Sequence, residues 1–322
     1  MRHAFLPLNG CMHTVLAATM VLAGALLPAT AGHSDAQTNL NTCDQNLLTL
    51  TSYEGYQPCP TGYTLAIDDR FDYFDNTIWE RSTGGFPDNE CRFIDAPDDR
   101  VSFNADGIMR LIMEQRDVPA SYSRHEKKIV GAKPCASGEL RTLAEYGPYG
   151  RLEARMKSPQ SSGFVQSLFT FKFYKDPWQE IDIELQGRLP DEISTNVISN
   201  HAKDFNECDV YQCTHNTEQH NDIGARHADS WHVYTIDWLP DRVDFYVDGE
   251  LKRPVTQSDI NNAGGNFPNS PATILMNFWL PNRKIAKWFG GEWSLDQLPL
   301  EAKYDWFRYY KLNNNKVTSA LD

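Results

Sequence analysis

Residues 179–186 read Gln-Glu-Ile-Asp-Ile-Glu-Leu-Gln, and their alternation has the period of a β-strand. Gln179, Ile181, Ile183 and Leu185 fall on one face. Glu180, Asp182, Glu184 and Gln186 fall on the other. Three carboxylates in line on one strand face repel one another, and folding gains nothing from that. A site that must keep one carboxyl protonated and another ionised does gain, because like-charge proximity drives their pKa values apart. Along a strand the Cα atoms of Glu180 and Glu184 stand roughly 13 Å apart. Both side chains must therefore lean inward over Asp182 to flank one bond.

The rest of the chain carries the same period. Gly150, Leu152, Ala154 and Met156 alternate with Tyr149, Arg151, Glu153 and Arg155. Asp106-Gly107 and Asp248-Gly249 each separate two short runs that read as strands, a hairpin signal because glycine accepts the positive φ of a tight turn. Long helical periodicity is absent. The pattern predicts an all-β fold, a sandwich or jelly roll, over residues 61–312.

Residues 1–36 read as a signal peptide. Arg2 and His3 precede an apolar stretch from Val15 to Leu27, and small residues offer cleavage after Ala31 or Ala36. Residues 37–60 read as an N-terminal extension and 313–322 as a polar tail. The expected location is secreted or periplasmic, with no membrane association after cleavage. Net charge is −13, which argues against nucleic acid as a partner and is compatible with neutral polysaccharide. Seven cysteines become six without Cys11, an even number that suits an exported, disulfide-bonded chain. Cys208 with Cys213, Cys43 with Cys59 and Cys91 with Cys135 are candidate pairs, and the connectivity stays open. Cys208, Cys213, His215 and His220 are poorly spaced for zinc, and export favours a disulfide there.

The segment Glu180-Ile181-Asp182-Ile183-Glu184, with Trp178 before it and Gly187 after it, resembles the signature of glycoside hydrolase family 16. Tyr149 to Lys157, Gly163 to Phe171, Trp231 to Trp238, the Asp248-Gly249 hairpin, Met276 to Trp279 and Tyr304-Asp305-Trp306 resemble further blocks of that family in the same order. The resemblance implies a concanavalin-like β-jelly roll of two curved antiparallel sheets. It implies Glu180 as nucleophile, Glu184 as general acid/base and Asp182 between them, in a retaining endo-β-glucanase. The single residue between Asp182 and Glu184 resembles the lichenase branch, whose substrate is β-1,3-1,4-glucan. A transglycosylase or β-1,3-glucanase of the same architecture and a non-catalytic lectin-like jelly roll are the alternatives.

By the same resemblance Trp178, Asn196, Asn277, Trp279, Arg155 and Phe169 are sugar-binding candidates. Ile198 and Gln186 depart from the lichenase pattern, as does the insertion between Cys208 and His227. No cofactor is expected for catalysis. A structural calcium ion is implied at Asp305, with a backbone oxygen of Gly107. The expected partner is polysaccharide, and the expected state is a monomer.

Overall fold

The computed structural model describes residues 60–94, 100–104, 106–123, 128–172, 178–199 and 215–313. All of them belong to the compact unit Asn39–Asp322. The strands are β1 (Tyr63–Asp69), β2 (Trp79–Arg81), β3 (Arg92–Phe93), β4 (Val101–Phe103), β5 (Met109–Val118), β6 (Ser121–Ser123) and β7 (Lys128–Val130). They continue with β8 (Lys133–Ser137), β9 (Glu139–Thr142), β10 (Gly150–Lys157), β11 (Val165–Lys172), β12 (Gln179–Gln186) and β13 (Glu192–Ser199). The last are β14 (His215–Asn216), β15 (Gln219–Asp222), β16 (His232–Trp238), β17 (Arg242–Val247), β18 (Glu250–Thr256), β19 (Thr273–Trp279) and β20 (Leu300–Leu312). One short helix, α1 (Gln257–Asn262), follows β18 and is closed by a capping box between Thr256 and Asp259.

Two large sheets form. The first has the order β18-β17-β16-β10-β20-β5-β8-β3, with β1 added to β20 and β4 to β5. The second has the order β14-β13-β12-β11-β19-β9-β2, with β15 also on β13. Pairing is antiparallel apart from the short β3–β8 contact. This is the all-β jelly-roll sandwich expected from the alternation. Both Asp-Gly signals mark hairpins. Asp248 and Gly249, at φ 51° and 80°, connect β17 to β18, and Gly107, at φ 69°, lies between β4 and β5.

The core lies between the sheets. Leu152, Ala154 and Met156 of β10 meet Ile181, Ile183 and Leu185 of β12 in one apolar cluster with Tyr234, Ile236, Met276 and Phe278. These side chains are the apolar halves of period-two strands, so each sheet turns its other face outward. Trp238 packs in this core, whereas Trp306 is buried on the outer face of β20, opposite Arg155 and under the Arg308 guanidinium. Gly187 follows β12, and a Cβ there would stand 2.8 Å from Ser162 Cα and 2.9 Å from the Phe164 ring, so the close approach requires glycine.

Cys91 and Cys135 are bonded, one of the three candidate pairs. Cys43, Cys59, Cys208 and Cys213 lie outside the described residues, as do the signal peptide, nearly all of the extension and most of the tail. The bridge spans 44 residues of sequence, so its loss frees a long loop in the unfolded chain. A Cys91→Ser/Cys135→Ser double variant is expected to lose about 2–4 kcal/mol of unfolding free energy. Chemical denaturation under oxidising conditions, compared with the wild type, measures this.

Candidate active site

Strand β12 lies inside the second sheet, between β11 and β13. Ile181, Ile183 and Leu185 are fully buried in the core, which forces Glu180, Asp182 and Glu184 onto the open face. Directly opposed residues of antiparallel strands share a face, so the register builds the surroundings of each acid. Glu184 stands between Ser167 and Ser194, and the row continues through Asn277 to Glu139. Asp182 stands between Phe169 and Asn196, with Leu275 and Arg141 further along. Glu180 stands between Phe171 and Ile198, with Thr273 and Asn216 at the ends.

This open face is a trench floor. Asp182 is 6% exposed, Ser167 3% and Asn277 4%, although the other sheet does not cover them. Glu180 and Glu184 are partly exposed. Trp178 precedes the strand, and its Nε1 donates to Glu180 Oε2 at 2.6 Å. Its ring meets Phe171 edge-on, with centroids 5.8 Å apart.

Burial and crowding raise all three carboxyls. Desolvation lifts Glu180 to about 7, against the hydrogen bonds from Trp178 and Asp182, which favour its ionised form. Asp182 is pushed well above the usual carboxylate range by burial and by the charges of Glu180 and Glu184. Its hydrogen bond with Glu180 also raises it, while the same bond lowers Glu180. Glu184 rises to about 8 through burial and then through the charges of Glu218 and Glu180. All three carboxyls are thus raised, and at Glu180 the two hydrogen bonds oppose the rise.

The structure brings most of the expected binding residues to this trench. Asn196 lies beside Asp182, and its Oδ1 accepts from the Thr217 amide at 2.9 Å. Asn277 donates through Nδ2 to Glu139 Oε2 at 3.1 Å. Phe169 floors the middle row. Trp279 is on the same face at its far end, stacked on Phe289 with centroids 5.3 Å apart and edge-on to Phe86 at 4.9 Å. Ile198, a departure from the lichenase pattern, flanks Glu180. Gln186, another, accepts through Oε1 from Arg188 Nε and the Gly290 amide at 2.9 and 3.2 Å.

Arg155 is a correction. It belongs to β10 in the other sheet, where Ala154 and Met156 take the core face and turn it away from both core and trench. Its guanidinium pairs with Asp305 and lies over the Trp231 ring. The cation on the trench face is Arg141, whose Nε bonds Glu80 Oε1 at 2.6 Å. The Arg155–Asp305 pair also bears on calcium. The Arg155 guanidinium engages the one carboxylate expected to hold the ion. Among the described residues no group of three or more His, Cys, Asp or Glu side chains could hold a metal.

Glu139, Arg141 and Glu218 escape the sequence reading. Glu139 is buried, which raises its pKa, and its charge in turn raises Glu180. Glu139-Leu140-Arg141 does alternate, but only the register with β19 shows that this short strand joins the trench.

The fold and the row of acids define an endo-acting glycoside hydrolase. The sequence model of glycosyl hydrolases family 16 matches residues 96–308, and the chain belongs to that family. A β-glucanase of Bacillus subtilis (strain 168) is 31% identical over 247 residues, covering 76% of this chain and 85% of the relative. The structure of Bacillus licheniformis β-glucanase superposes with a TM-score of 0.57 at 28% identity, covering 77% of this chain and 97% of that one. A prokaryotic β-1,3-1,4-glucanase (lichenase) from a mouse hindgut metagenome gives a TM-score of 0.58 at 26% identity, covering 76% and 97%.

A carboxyl whose folded pKa exceeds its unfolded value binds extra protons in the folded state. Its protonation supports the fold at low pH, and that support is lost as pH rises from about 4 through the folded pKa. Asp182 is such a group. An Asp182→Asn variant keeps a donor toward Glu180 and removes the need to take up a proton on folding. Its melting temperature is expected to exceed the wild type's by a margin that grows from pH 4 to pH 8, read by thermal unfolding across that range.

Proposed function

We propose that this chain is a secreted, retaining endo-β-glucanase acting on β-1,3-1,4-glucan, with residues 1–36 as its export signal. The observation that carries the mechanism is the register of β12, which sets Glu180 and Glu184 on one face with Asp182 between them and gives Glu180 the Trp178 Nε1 donor that suits a carboxylate. Glu180 attacks the anomeric carbon while Glu184 passes its proton to the departing glycosidic oxygen. Asp182 keeps its proton in the hydrogen bond to Glu180. Water then enters, Glu184 takes a proton from it, and the resulting hydroxide displaces Glu180 from the anomeric carbon. Trp178, Asn196, Asn277, Phe169 and Trp279 line the sugar path. The choice of mixed-linkage glucan rests on the similarity to β-glucanases and a lichenase. No helix among the described residues is long and apolar enough to cross a membrane.

Glu180→Ala is expected to abolish reducing-sugar release while polysaccharide binding persists. Proton NMR of the first products should show the β anomer, and an α anomer would replace retention with inversion. Screening barley glucan, laminarin, xyloglucan and chitin-linked glucan ranks the substrates. Chain-length redistribution without new reducing ends would indicate transfer to sugar in place of water. Binding without any turnover would indicate a lectin.

The pH profile follows from the same assignment. Activity needs Glu180 ionised and Glu184 protonated, so kcat/KM should rise through about 7 and fall through about 8. Trp178→Phe removes a donor that favours ionised Glu180. Its acid limb is expected to move to higher pH with the alkaline limb unchanged, measured as kcat/KM from pH 5 to 10.

A further inference from the structure

Glu218 lies in the link between β14 and β15, at the edge of the catalytic sheet. Ser194 connects it to the chemistry. Ser194 is the direct cross-strand partner of Glu184, and its Oγ donates to Glu218 Oε1 at 3.1 Å. A fourth carboxylate thus stands one side chain from the proposed acid. Folding alone does not ask for it, since a neutral acceptor would satisfy Ser194 equally well.

The groups around Glu184 are mostly acidic, and the cation nearest Glu218, Arg253, interacts with it without forming an ion pair. Glu180 and Asp182 project from its own strand, and Glu139 ends its row on β9. Across β13 lies His220 of β15, with Nε2 3.9 Å from Glu218 Oε1. The same Nε2 stands 3.1 Å from Arg188 Nη2. A guanidinium can only donate, so Nε2 is the acceptor in that contact. Arg253 directs one Nη at Thr195 O at 2.8 Å and the other at Thr217 O, and it makes no ion pair with Glu218. On its outer flank Glu218 lines a polar surface cavity with Gln219, Arg253 and Asp259, which gives its carboxylate access to water.

We propose that Glu218 is a positioning residue for Glu184, whose negative charge keeps the acid protonated until the glycosidic oxygen takes the proton. The proposal rests on the assignment of Glu184 as acid/base. Glu218 itself neither gains nor loses a proton. The C–O bond breaks as the Glu184 proton moves to its oxygen and Glu180 bonds to the anomeric carbon. Electrostatic repulsion from Glu218 makes early ionisation of Glu184 costly and favours that transfer. The direction agrees with the contribution of Glu218 to the raised Glu184 carboxyl.

Glu218→Gln keeps the acceptor for Ser194 and removes the charge. On β-1,3-1,4-glucan its alkaline limb of kcat/KM is expected to fall by about one pH unit, a roughly tenfold loss above the limb, with the acid side nearly unchanged. Glu218→Asp retains the charge and should restore the limb in part. A dinitrophenyl glycoside, whose leaving group needs no proton, should show no difference between wild type and Glu218→Gln in the glycosylation step. Thermal unfolding verifies that both variants fold. A profile that superimposes on the wild type, or a loss uniform across pH, overturns the proposal. Glu184→Gln separates the two assignments. Full activity of that variant on glucan removes Glu184 as the acid, whatever Glu218 does. A loss of about 10²–10⁴ on glucan, with the first-turnover release of dinitrophenol kept and the following hydrolysis of the glycosyl-enzyme slowed, upholds it independently.

Discussion

Taking three carboxyls out of water along one strand is unfavourable, and the sandwich supplies the means to do it. Ile181, Ile183 and Leu185 bury completely between the sheets, and their period of two leaves Glu180, Asp182 and Glu184 no other direction. Apolar burial of this kind contributes roughly 1.5–3 kcal/mol per large side chain, enough to hold the strand in register against local repulsion. The same desolvation that costs stability retains protons near neutrality. Core packing and acid–base chemistry are thus two faces of one strand.

Neighbouring strands refine what burial begins. The Trp178 indole donates to Glu180 and Asp182 shares a hydrogen bond with it, and both favour its ionised form against the burial that raises it. Glu184 receives no such pair of donors and faces Glu218 across Ser194. Differences in donor supply, more than differences in burial, separate the two glutamates. Antiparallel register delivers each of these contacts, since every strand from β9 to β13 on this sheet contributes side chains at fixed opposite positions.

Much of this was legible before any coordinates. The alternation at 179–186 exposes the strand and its acid face, and both Asp-Gly pairs mark real hairpins. What a period of two cannot say is which sheet a strand joins. Arg155 and Arg141 each sit in an alternating stretch, but β10 packs in one sheet and β9 in the other, so only Arg141 reaches the trench. Glu218 and Glu139 are separated from the motif by dozens of residues, and no local pattern ties them to it. The pairing of Asp305 with Arg155 is likewise a contact between strands distant in sequence. Local alternation encodes the face, and long-range register encodes the neighbours.

The bridge at Cys91 reaches further than its two sulfurs. Asn89, two residues earlier, accepts the Cys91 amide through Oδ1 at 2.9 Å and the Leu280 amide at 3.4 Å, and the Glu90 amide bonds Leu280 O at 2.7 Å. Leu280 directly follows Trp279, and Phe93 and Phe86 pack in the same aromatic cluster as that ring. The covalent link thus braces the aromatic cluster around Trp279, at the end of the face remote from the acids. A chain without the bridge would keep its row of acids and lose a tether behind that ring, so oxidation of two thiols stiffens a surface that neither sulfur touches.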